Sequence, residues 1–248
     1  MNTIYILWLR QLKRYFRSRS RLVGSLGQPL LFLVALGFGF GPIYERAAGG
    51  SYIQFLTPGI IAMSVLFTAM FSGIEIIWDR QFGFLKETLV APVSRMEIVV
   101  GRTLGGATVA IIQGIIIFLI SLLIGFRLDS FLRLPLFFLF MFLIALLFTS
   151  LGTAIASKME DMHGFQLIMN FLVMPLFFLS GALFPLQNLP RALTIVSMMD
   201  PLSYGVDGLR GALSNTYQFG FTQDLLLLGT ATGILLIIGS YLFSKIEL

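Results

Sequence analysis

The sequence predicts an all-α integral membrane protein, on the evidence of its composition and of its long charge-free runs. Of its 248 residues, 57% are hydrophobic and only 12% are charged, and the mean hydropathy is +0.91. An ordinary soluble domain is about half apolar and about a quarter charged. A soluble enzyme, a disordered chain and a secreted disulfide scaffold are therefore excluded.

Six stretches without Asp, Glu, Lys or Arg are long enough to cross the hydrocarbon core, which needs about 20 apolar residues. Strands of a membrane barrel would be about 10 residues long and alternate in polarity, and the sequence has no such pattern. The predicted transmembrane helices are residues 22–44, 47–74, 103–126, 134–157, 162–190 and 225–244. Gly101 and Gly105, four residues apart at the start of the third, would allow another helix to approach closely.

Basic residues are distributed unevenly between the segments that connect these runs, and this sets the predicted orientation. With the amino terminus in the cytoplasm, twelve Lys and Arg residues fall inside and five fall outside. We therefore expect a multi-pass protein of the inner or plasma membrane with both termini cytoplasmic. Because the basic residues flank the spans instead of forming a soluble basic face, nucleic-acid binding is not predicted.

Residues 1–21 predict an amphipathic helix. Five basic side chains fall within about 100° of arc at 100° per residue, and apolar residues fill the opposite side. Such a helix lies in the membrane interface, with its apolar side in lipid and its cations toward anionic headgroups. The alternative is that the basic side also contacts a cytoplasmic partner. The five residues are Arg10, Lys13, Arg14, Arg17 and Arg21.

Residues 79–97 form the longest predicted cytoplasmic loop. The segment FLKETLV (84–90) is long enough for two helical turns, and Pro92 would stop the helix. It carries apolar side chains where water is expected. One interpretation is a helix on the headgroups, and the other is a short rigid knob for a soluble partner, with aromatic anchors ringed by charges. The residues concerned are Arg80, Phe82, Phe84, Leu85, Lys86, Glu87 and Leu89.

Residues 185–215 are predicted to lie outside and contain two apolar pieces that are each too short to span. Pro190 can start one helix, and Pro201, after Asp200, can start the next. We expect two half-length re-entrant helices, which are tolerated at membrane depth only where protein or a water cavity covers them. They form either a lid of amphipathic helices or an outer gate over a pathway, and we favour the gate.

Chemistry-bearing groups are scarce. The chain has no Cys and a single His, His163, so neither a thiol nucleophile nor a Cys- or His-based metal site is predicted. There is no Gly-rich phosphate loop with its Lys. The six runs hold no Asp, Glu, Lys or Arg, and Glu75, just beyond the second run, is the nearest candidate for a charged group in the membrane. We therefore predict no catalytic, metal or cofactor site, and any ATPase must be another chain.

Two motifs resemble the membrane subunit of ABC-2 type exporters, and the similarity extends along nearly the whole chain. The first is WDRQFGFLKETLVAPVSRMEIVVGR (78–102), similar to the family's coupling-helix segment with its Pro-Val-Ser-Arg turn. The second combines Ser180-Gly181-Ala182 and Leu189-Pro190 with Pro201-Leu202-Ser203-Tyr204 and Arg210. The resemblance implies one domain, residues 1–248, that contains an interface helix (1–21), a coupling loop (79–97) and a re-entrant segment (185–215).

The resemblance also implies partners and roles. Two copies of the subunit would join two ATP-binding-cassette subunits, which bind the ATP and Mg²⁺, and cargo would move outward at the dimer interface. The residues implied in ATPase contact are Arg80, Phe84, Leu85, Lys86, Glu87 and Leu89, with Arg10, Lys13, Arg14 and Arg17 of the interface helix as a second contact. Those of the outer gate are Pro190, Pro201, Tyr204 and Arg210.

The cargo remains open between several classes. Short loops and a compact chain resemble the drug-resistance and antibiotic-export branch, which implies a hydrophobic or amphipathic drug, antibiotic or lipid. Export of a lipid-linked polysaccharide, such as O-antigen or teichoic acid, is the alternative within the family. Outside it, a stand-alone channel or ion-coupled carrier is the alternative, and a membrane enzyme is disfavoured because no polar catalytic cluster is present.

Overall fold

The computed structural model describes residues 3–90, 92–186 and 190–245, without the side chains of Ser20, Arg21, Ala48 and Leu89. Within these residues every regular element is helical, and a 3-10 turn at Phe131–Arg133 accompanies the α-helices. The α-helices are α1 (Thr3–Arg17), α2 (Arg19–Ala48), α3 (Tyr52–Phe71), α4 (Ile74–Gln81), α5 (Phe84–Val90), α6 (Arg95–Ile124), α7 (Leu134–Ser157), α8 (Met162–Leu179), α9 (Arg191–Met199), α10 (Pro201–Ser214) and α11 (Phe221–Ser244).

Six stretches of the described chain are long and apolar enough to cross a membrane, which confirms the predicted number. They are Leu22–Ala47, Tyr52–Gln81, Arg95–Ile124, Phe131–Ser157, Met162–Leu179 and Phe221–Ser244. Two differ from the charge-free runs. The second continues through α4 to Gln81 and so includes acidic residues, whereas the fifth ends at Leu179, well before residue 190, because the chain turns at Gly181 with a φ of +73°.

The central helix of the bundle is α3, which is the most buried of the spans and contacts α2, α6, α7, α8 and α10. Around it, α6 and α7 are half buried, while α2, α8 and α11 leave most of their apolar surface outside the bundle. The end of the bundle at which α6 begins is called here the near end, and it carries α1, α5 and the turn between α7 and α8. The opposite end, called the far end, carries α9 and α10.

The second span bends at Ser72 and Gly73, between α3 and α4, where it crosses α7 closely. A Cβ atom at Gly73 would collide with the backbone of Gly152 on α7, and one at Gly152 would collide with the backbone of Met70. Small residues permit this close contact between helix backbones. The contact fixes the direction in which α4 leaves the bundle, and therefore the position of α5.

Helix α1 packs lengthwise against α6, and Gly101 and Gly105 make the contact possible, as their spacing predicts. Ile4 and Leu7 lie against Gly101, and Gln11 lies against Gly105. Farther along, the Trp8 indole nitrogen donates to the Thr108 hydroxyl (3.0 Å) and the Tyr15 hydroxyl bonds to Gln113. The apolar side of α1 thus faces α6 rather than lipid at Leu7 and Tyr15, which are buried, while Phe16 remains exposed.

Candidate functional site

Helices α4 (Ile74–Gln81) and α5 (Phe84–Val90) meet at the near end and form what we call the α4–α5 corner. Among the described side chains of α5, one is buried and several are exposed. Leu85 has no exposed surface and joins the hydrophobic core. Phe84 is 51% exposed, and Lys86 and Glu87 are also exposed. Leu85 therefore holds α5 to the bundle instead of facing outward as predicted, whereas Phe84, Lys86 and Glu87 do face outward. The side chain of Leu89 lies outside the described residues.

A cluster of ion pairs joins the base of this corner to α1 and α6. The Asp79 carboxylate, only 3% exposed, accepts hydrogen bonds from Arg10 of α1 (2.9 Å) and Arg102 of α6 (2.5 Å). The Arg14 guanidinium lies 3.5 Å from Asp79 and 3.8 Å from Glu75. Its carbon also sits 5.2 Å from the centre of the Trp78 ring. One buried carboxylate thus connects three helices.

Sequence reasoning missed Asp79 and Arg102 as site residues, because counting charge-free runs places both just outside the spans. Arg102 is 4% exposed, and its Nε and Nη1 atoms have no hydrogen-bond partner in the described chain. A signal was present for the acids: Glu75 and Asp79 are four residues apart, so they share one face of a helix. The charge-free runs contain no Asp, Glu, Lys or Arg, but the longer spans of the structure do contain such residues.

Arg80 and Gln81 attach the end of α4 to the turn between α7 and α8. The Arg80 guanidinium donates to the carbonyl oxygens of Met159 (3.0 Å) and Ser157 (3.4 Å), and Gln81 donates to that of Glu160 (3.1 Å). Arg80 is thus occupied by contacts within the chain. Arg80 therefore fixes the position of the corner, and it lies beside the exposed surface of α5 instead of forming part of that surface.

The basic side of α1 faces a cleft between α1 and the α4–α5 corner. Lys13 and Arg17 are exposed, and Arg10 and Arg14 are partly so because they reach toward Asp79. Tyr5, Ile6, Phe82 and Phe84 add apolar surface to the same cleft. The predicted interface residues are therefore brought next to the predicted coupling helix.

At the far end, α10 is buried in the bundle and α9 covers it. Pro190 is exposed and precedes α9, while Pro201 begins α10, as predicted for both. The Tyr204 hydroxyl donates to the carbonyl of Met198 on α9 (2.7 Å). Arg210 donates to the carbonyl of Gly181 (2.9 Å), and its guanidinium carbon lies 4.2 Å from the centre of the Phe55 ring. Tyr204 and Arg210 are thus internal braces rather than surface groups.

Three carboxylates accompany α10. Asp200 caps the helix by accepting a hydrogen bond from the backbone N–H of Leu202 (2.8 Å), and burial raises the pKa of this carboxyl to about 7. Asp207 accepts from the N–H groups of Gln218 and Phe219, both at 2.8 Å, and so ties the following loop to α10. Asp224 of α11 is fully buried, with neither oxygen hydrogen-bonded within the described residues. None of the three was singled out from the sequence as a site residue.

A cavity of about 340 Å³ lies among α1, α2, α3, α4 and α6, at the near end of the spans. Its wall is mostly apolar and includes Met63, Phe67, Phe71 and Trp78, with Glu75 as its carboxylate. Pockets of about 300–1,000 Å³ with apolar walls and few polar groups are typical of sites for small organic ligands. No cluster of three His, Asp or Glu side chains suited to a metal ion occurs among the residues the structure describes.

Comparison with known proteins identifies the family. The family model for the ABC-2 type transporter matches residues 2–214, which is most of the chain. The chain belongs to the ABC-2 type transporter family. Its members are membrane subunits whose ATPase is a separate protein, so this chain is the transmembrane subunit of an ABC transporter and partners ABC ATPase subunits. The resemblance found in the two sequence motifs is thereby confirmed.

Curated relatives of this ABC-2 subunit extend over nearly the same length. The transport permease ycf38 of Cyanophora paradoxa is 30% identical over 260 residues, covering 98% of this chain and 88% of the relative. The ycf38 of Porphyra purpurea is 32% identical over 247 residues, covering 93% and 84%. Nodulation protein J of Rhizobium leguminosarum bv. viciae is 30% identical over 210 residues, covering 83% and 77%.

Proposed function

We propose that this ABC-2 subunit forms the translocation pathway of an ATP-driven exporter for a hydrophobic or amphipathic cargo, such as a drug, an antibiotic or a lipid. In this proposal two copies assemble with two ATPase subunits in the inner or plasma membrane. The near end and both termini face the cytoplasm, and the far end faces outward. The observation that carries the proposal is the braced corner of α4 and α5.

The corner has the properties that a contact for a moving partner requires. Its tip presents one exposed aromatic ring, Phe84, beside two opposite charges, Lys86 and Glu87. An aromatic anchor surrounded by a polar rim is typical of protein interfaces. Its base is fixed by the buried Leu85 and by the ion pairs of Asp79. Force applied to the tip would therefore move α4, and through Asp79 also α1 and α6.

ATP-driven closure of the two ATPase subunits would supply that force. Interfaces and packed cores switch between discrete arrangements instead of deforming continuously. We therefore expect the motion to separate α1 and α4 from their neighbours at the near end, and to reach α10 through α3, which contacts it directly. In this scheme α10 and its braces, Tyr204 and Arg210, keep the far end closed until ATP binds.

The cargo class is inferred from the cavity of about 340 Å³ between α2 and the rest of the bundle. Its aromatic wall suits a small apolar or amphipathic molecule. A lipid-linked polysaccharide remains the alternative cargo within the family. If the cargo is a lipid-linked polysaccharide, transport should depend on a long sugar chain, and enlarging the side chains around the cavity should not affect it.

The test is co-purification of the subunit with ABC ATPases from its own membrane, followed by ATPase and transport assays in liposomes. Glu87→Ala should reduce cargo-stimulated ATPase activity severalfold, because it removes a charge from the tip of α5. Glu45→Ala, an exposed carboxylate at the opposite end of the first span, is the matched control. Transport by the subunit alone, without any ATPase, would overturn the proposal in favour of a channel or carrier.

A further inference from the structure

Two buried carboxyl groups meet at the far end, between α10 and α11. Asp207 lies in the middle of α10 and is 2% exposed, and Asp224 lies in the first turn of α11 with no exposed surface. Their side chains are within hydrogen-bonding reach of each other. Neither carboxyl forms an ion pair with any residue that the structure describes. Neither has a part in the function proposed above.

The two carboxyl groups have unequal surroundings. Asp207 accepts hydrogen bonds from the backbone N–H groups of Gln218 (2.8 and 2.9 Å) and Phe219 (2.8 Å), and such bonds favour the ionised form. Both oxygens of Asp224 are without a hydrogen bond in the described chain. An ionised carboxylate can only accept, so two ionised groups cannot bond to each other. If Asp224 is protonated, its O–H can donate to Asp207.

The charges nearby do not balance two negative charges. The amino terminus of α11 supplies roughly half a positive charge. Arg210 attracts Asp207, but its guanidinium donates to the carbonyl of Gly181 (2.9 Å) and lies over the Phe55 ring. The far-end halves of α3, α6, α7 and α8 contain no Asp, Glu, Lys or Arg. The titratable and charged groups that face the pair or its neighbours are Tyr204, Arg210, Tyr217, Arg133 and Asp200.

We propose that Asp207 and Asp224 bind one proton between them, carried by Asp224 and shared with Asp207 in an O–H···O hydrogen bond. Two carboxyl groups in contact in a buried site cannot both ionise, so one of them keeps its proton. Because Asp207 also holds the loop at Gln218 and Phe219, the proton joins α10, this loop and α11. Its loss to water would leave two adjacent negative charges, which would push α11 away from α10.

The consequence for transport rests on the proposed function, in which the far end faces outward and α10 keeps it closed. Alkaline pH outside the membrane would then loosen the closed far end, and acidic pH would hold it shut. The proton site itself does not depend on an ATPase, on cargo or on orientation. It is therefore tested on the subunit alone, and failure of the exporter proposal would leave this test intact.

The proton is detected by infrared spectroscopy of the full chain in a detergent without ester groups, because the C=O stretch of a protonated carboxyl is separate from the bands of carboxylates. Asp200→Asn serves as the background, since Asp200 is the other buried carboxyl at this end. We expect the band of one protonated carboxyl at neutral pH. Adding Asp224→Asn should abolish it, whereas adding Asp129→Asn, which changes an exposed far-end carboxylate, should leave it unchanged.

The role of Asp207 is tested by Asp207→Asn in the same background. This variant removes the neighbouring negative charge, so Asp224 should lose its proton at a clearly lower pH. Loss of the band at an unchanged pH would mean that burial alone holds the proton, which contradicts the shared site. A band that is absent from the background protein, or that persists in the Asp224→Asn variant, would also overturn the proposal.

Hydrogen exchange tests whether the proton joins the elements. Exchange of the Gln218 and Phe219 amides, corrected for the intrinsic effect of pH, should become severalfold faster at alkaline pH in the background protein. In the Asp224→Asn variant the amide can still donate to Asp207 but does not titrate, so the corrected rates should stay constant. Equal acceleration in the two proteins would show that the proton does not hold α10 and its loop to α11.

Discussion

Asp79 is the residue on which the near end depends most, because it is buried and neutralises cations from two other helices. Removing one partner of a buried ion pair costs about 3–5 kcal/mol, since the remaining charge is left without compensation. Asp79→Asn would leave Arg102, itself 4% exposed, in that condition. We expect the variant to unfold at lower temperature in detergent, and to lose coupling between ATP hydrolysis and transport.

The double variant Asp79→Leu/Arg102→Leu distinguishes the effect of this ion pair on stability from its effect on coupling. Replacing both members of a buried pair by apolar residues is often neutral for stability. We expect the double variant to be more stable than Asp79→Asn yet still uncoupled, because α1 would have lost its partner for Arg10. If Asp79→Asn unfolds like the unmodified protein, the cluster does not support the fold in the way described.

Asp200 makes the far end sensitive to pH. Burial raises the pKa of its carboxyl from 3.8 to about 7, so between these values the folded chain holds a proton that the unfolded chain has lost. Stability conferred by α10 should therefore fall as pH rises from 5 to 8, by about 2–3 kcal/mol. Asp200→Asn should make this dependence clearly shallower, because an amide still caps the helix but does not titrate. Thermal unfolding across this pH range is the measurement.

Asp161 provides the matched control for Asp200. It also caps a helix, by accepting a hydrogen bond from the N–H of Gly164 (2.5 Å), but it is exposed and this bond lowers the pKa of its carboxyl. A lowered pKa adds stability only above the unfolded value, and that contribution is complete by pH 5. Asp161→Asn should leave the slope between pH 5 and 8 unchanged. A slope in Asp200→Asn as steep as that of the unmodified protein would disprove the assignment.

At the scale of elements, α5 is a short helix, and among its described side chains Leu85 is the one buried in the core. Leu→Ala substitution in a core typically costs about 2–5 kcal/mol, and α5 has only two turns over which to bear that loss. Leu85→Ala should therefore detach α5 while leaving the spans folded. Hydrogen exchange of the amides of residues 82–90 should accelerate by more than tenfold, with little change in α3 or α7.

Val90→Ala tests whether the effect comes from burial. Val90 belongs to the same helix and loses the same kind of apolar group, but it is 80% exposed. Its exchange rates should match those of the unmodified protein. Ala has a higher helix propensity than Leu or Val, so faster exchange cannot come from a loss of propensity. Equal acceleration in the two variants would therefore mean that burial of Leu85 is not what holds α5 to the bundle.

Elements could be predicted from the sequence where a local signal sets them. The apolar pattern of residues 84–90, with Pro92 after it, predicted α5. Pro190 and Pro201, each before a short apolar piece, predicted α9 and α10. Packing between elements could not be predicted in this way. Nothing local shows that α1 lies on α6, or that Arg102 meets Asp79 from another helix, because these contacts join segments far apart in sequence.

At the scale of the whole molecule, the number of spans followed from composition, because water-free backbone must form helices of membrane length. The residues at which the spans begin and end could not be predicted as well from composition. A charge ends a run in the sequence but not a helix in the structure, provided that a partner neutralises it, as Arg102 does for Asp79. The second span therefore continues through α4 to Gln81, and α4 in turn sets the position of α5.

The orientation of the molecule is tested by two single cysteines, since the chain has no native Cys. Asp129 is exposed at the far end, and the Glu160 side chain is 88% exposed at the near end. In intact cells, an impermeant thiol reagent should label Asp129→Cys at once, and Glu160→Cys only after the membrane is permeabilised. The excess of basic residues at the near end favours this orientation by the positive-inside rule. The reverse labelling would place α5 outside the cell, where no ATPase could reach it, and would remove the basis of the exporter proposal.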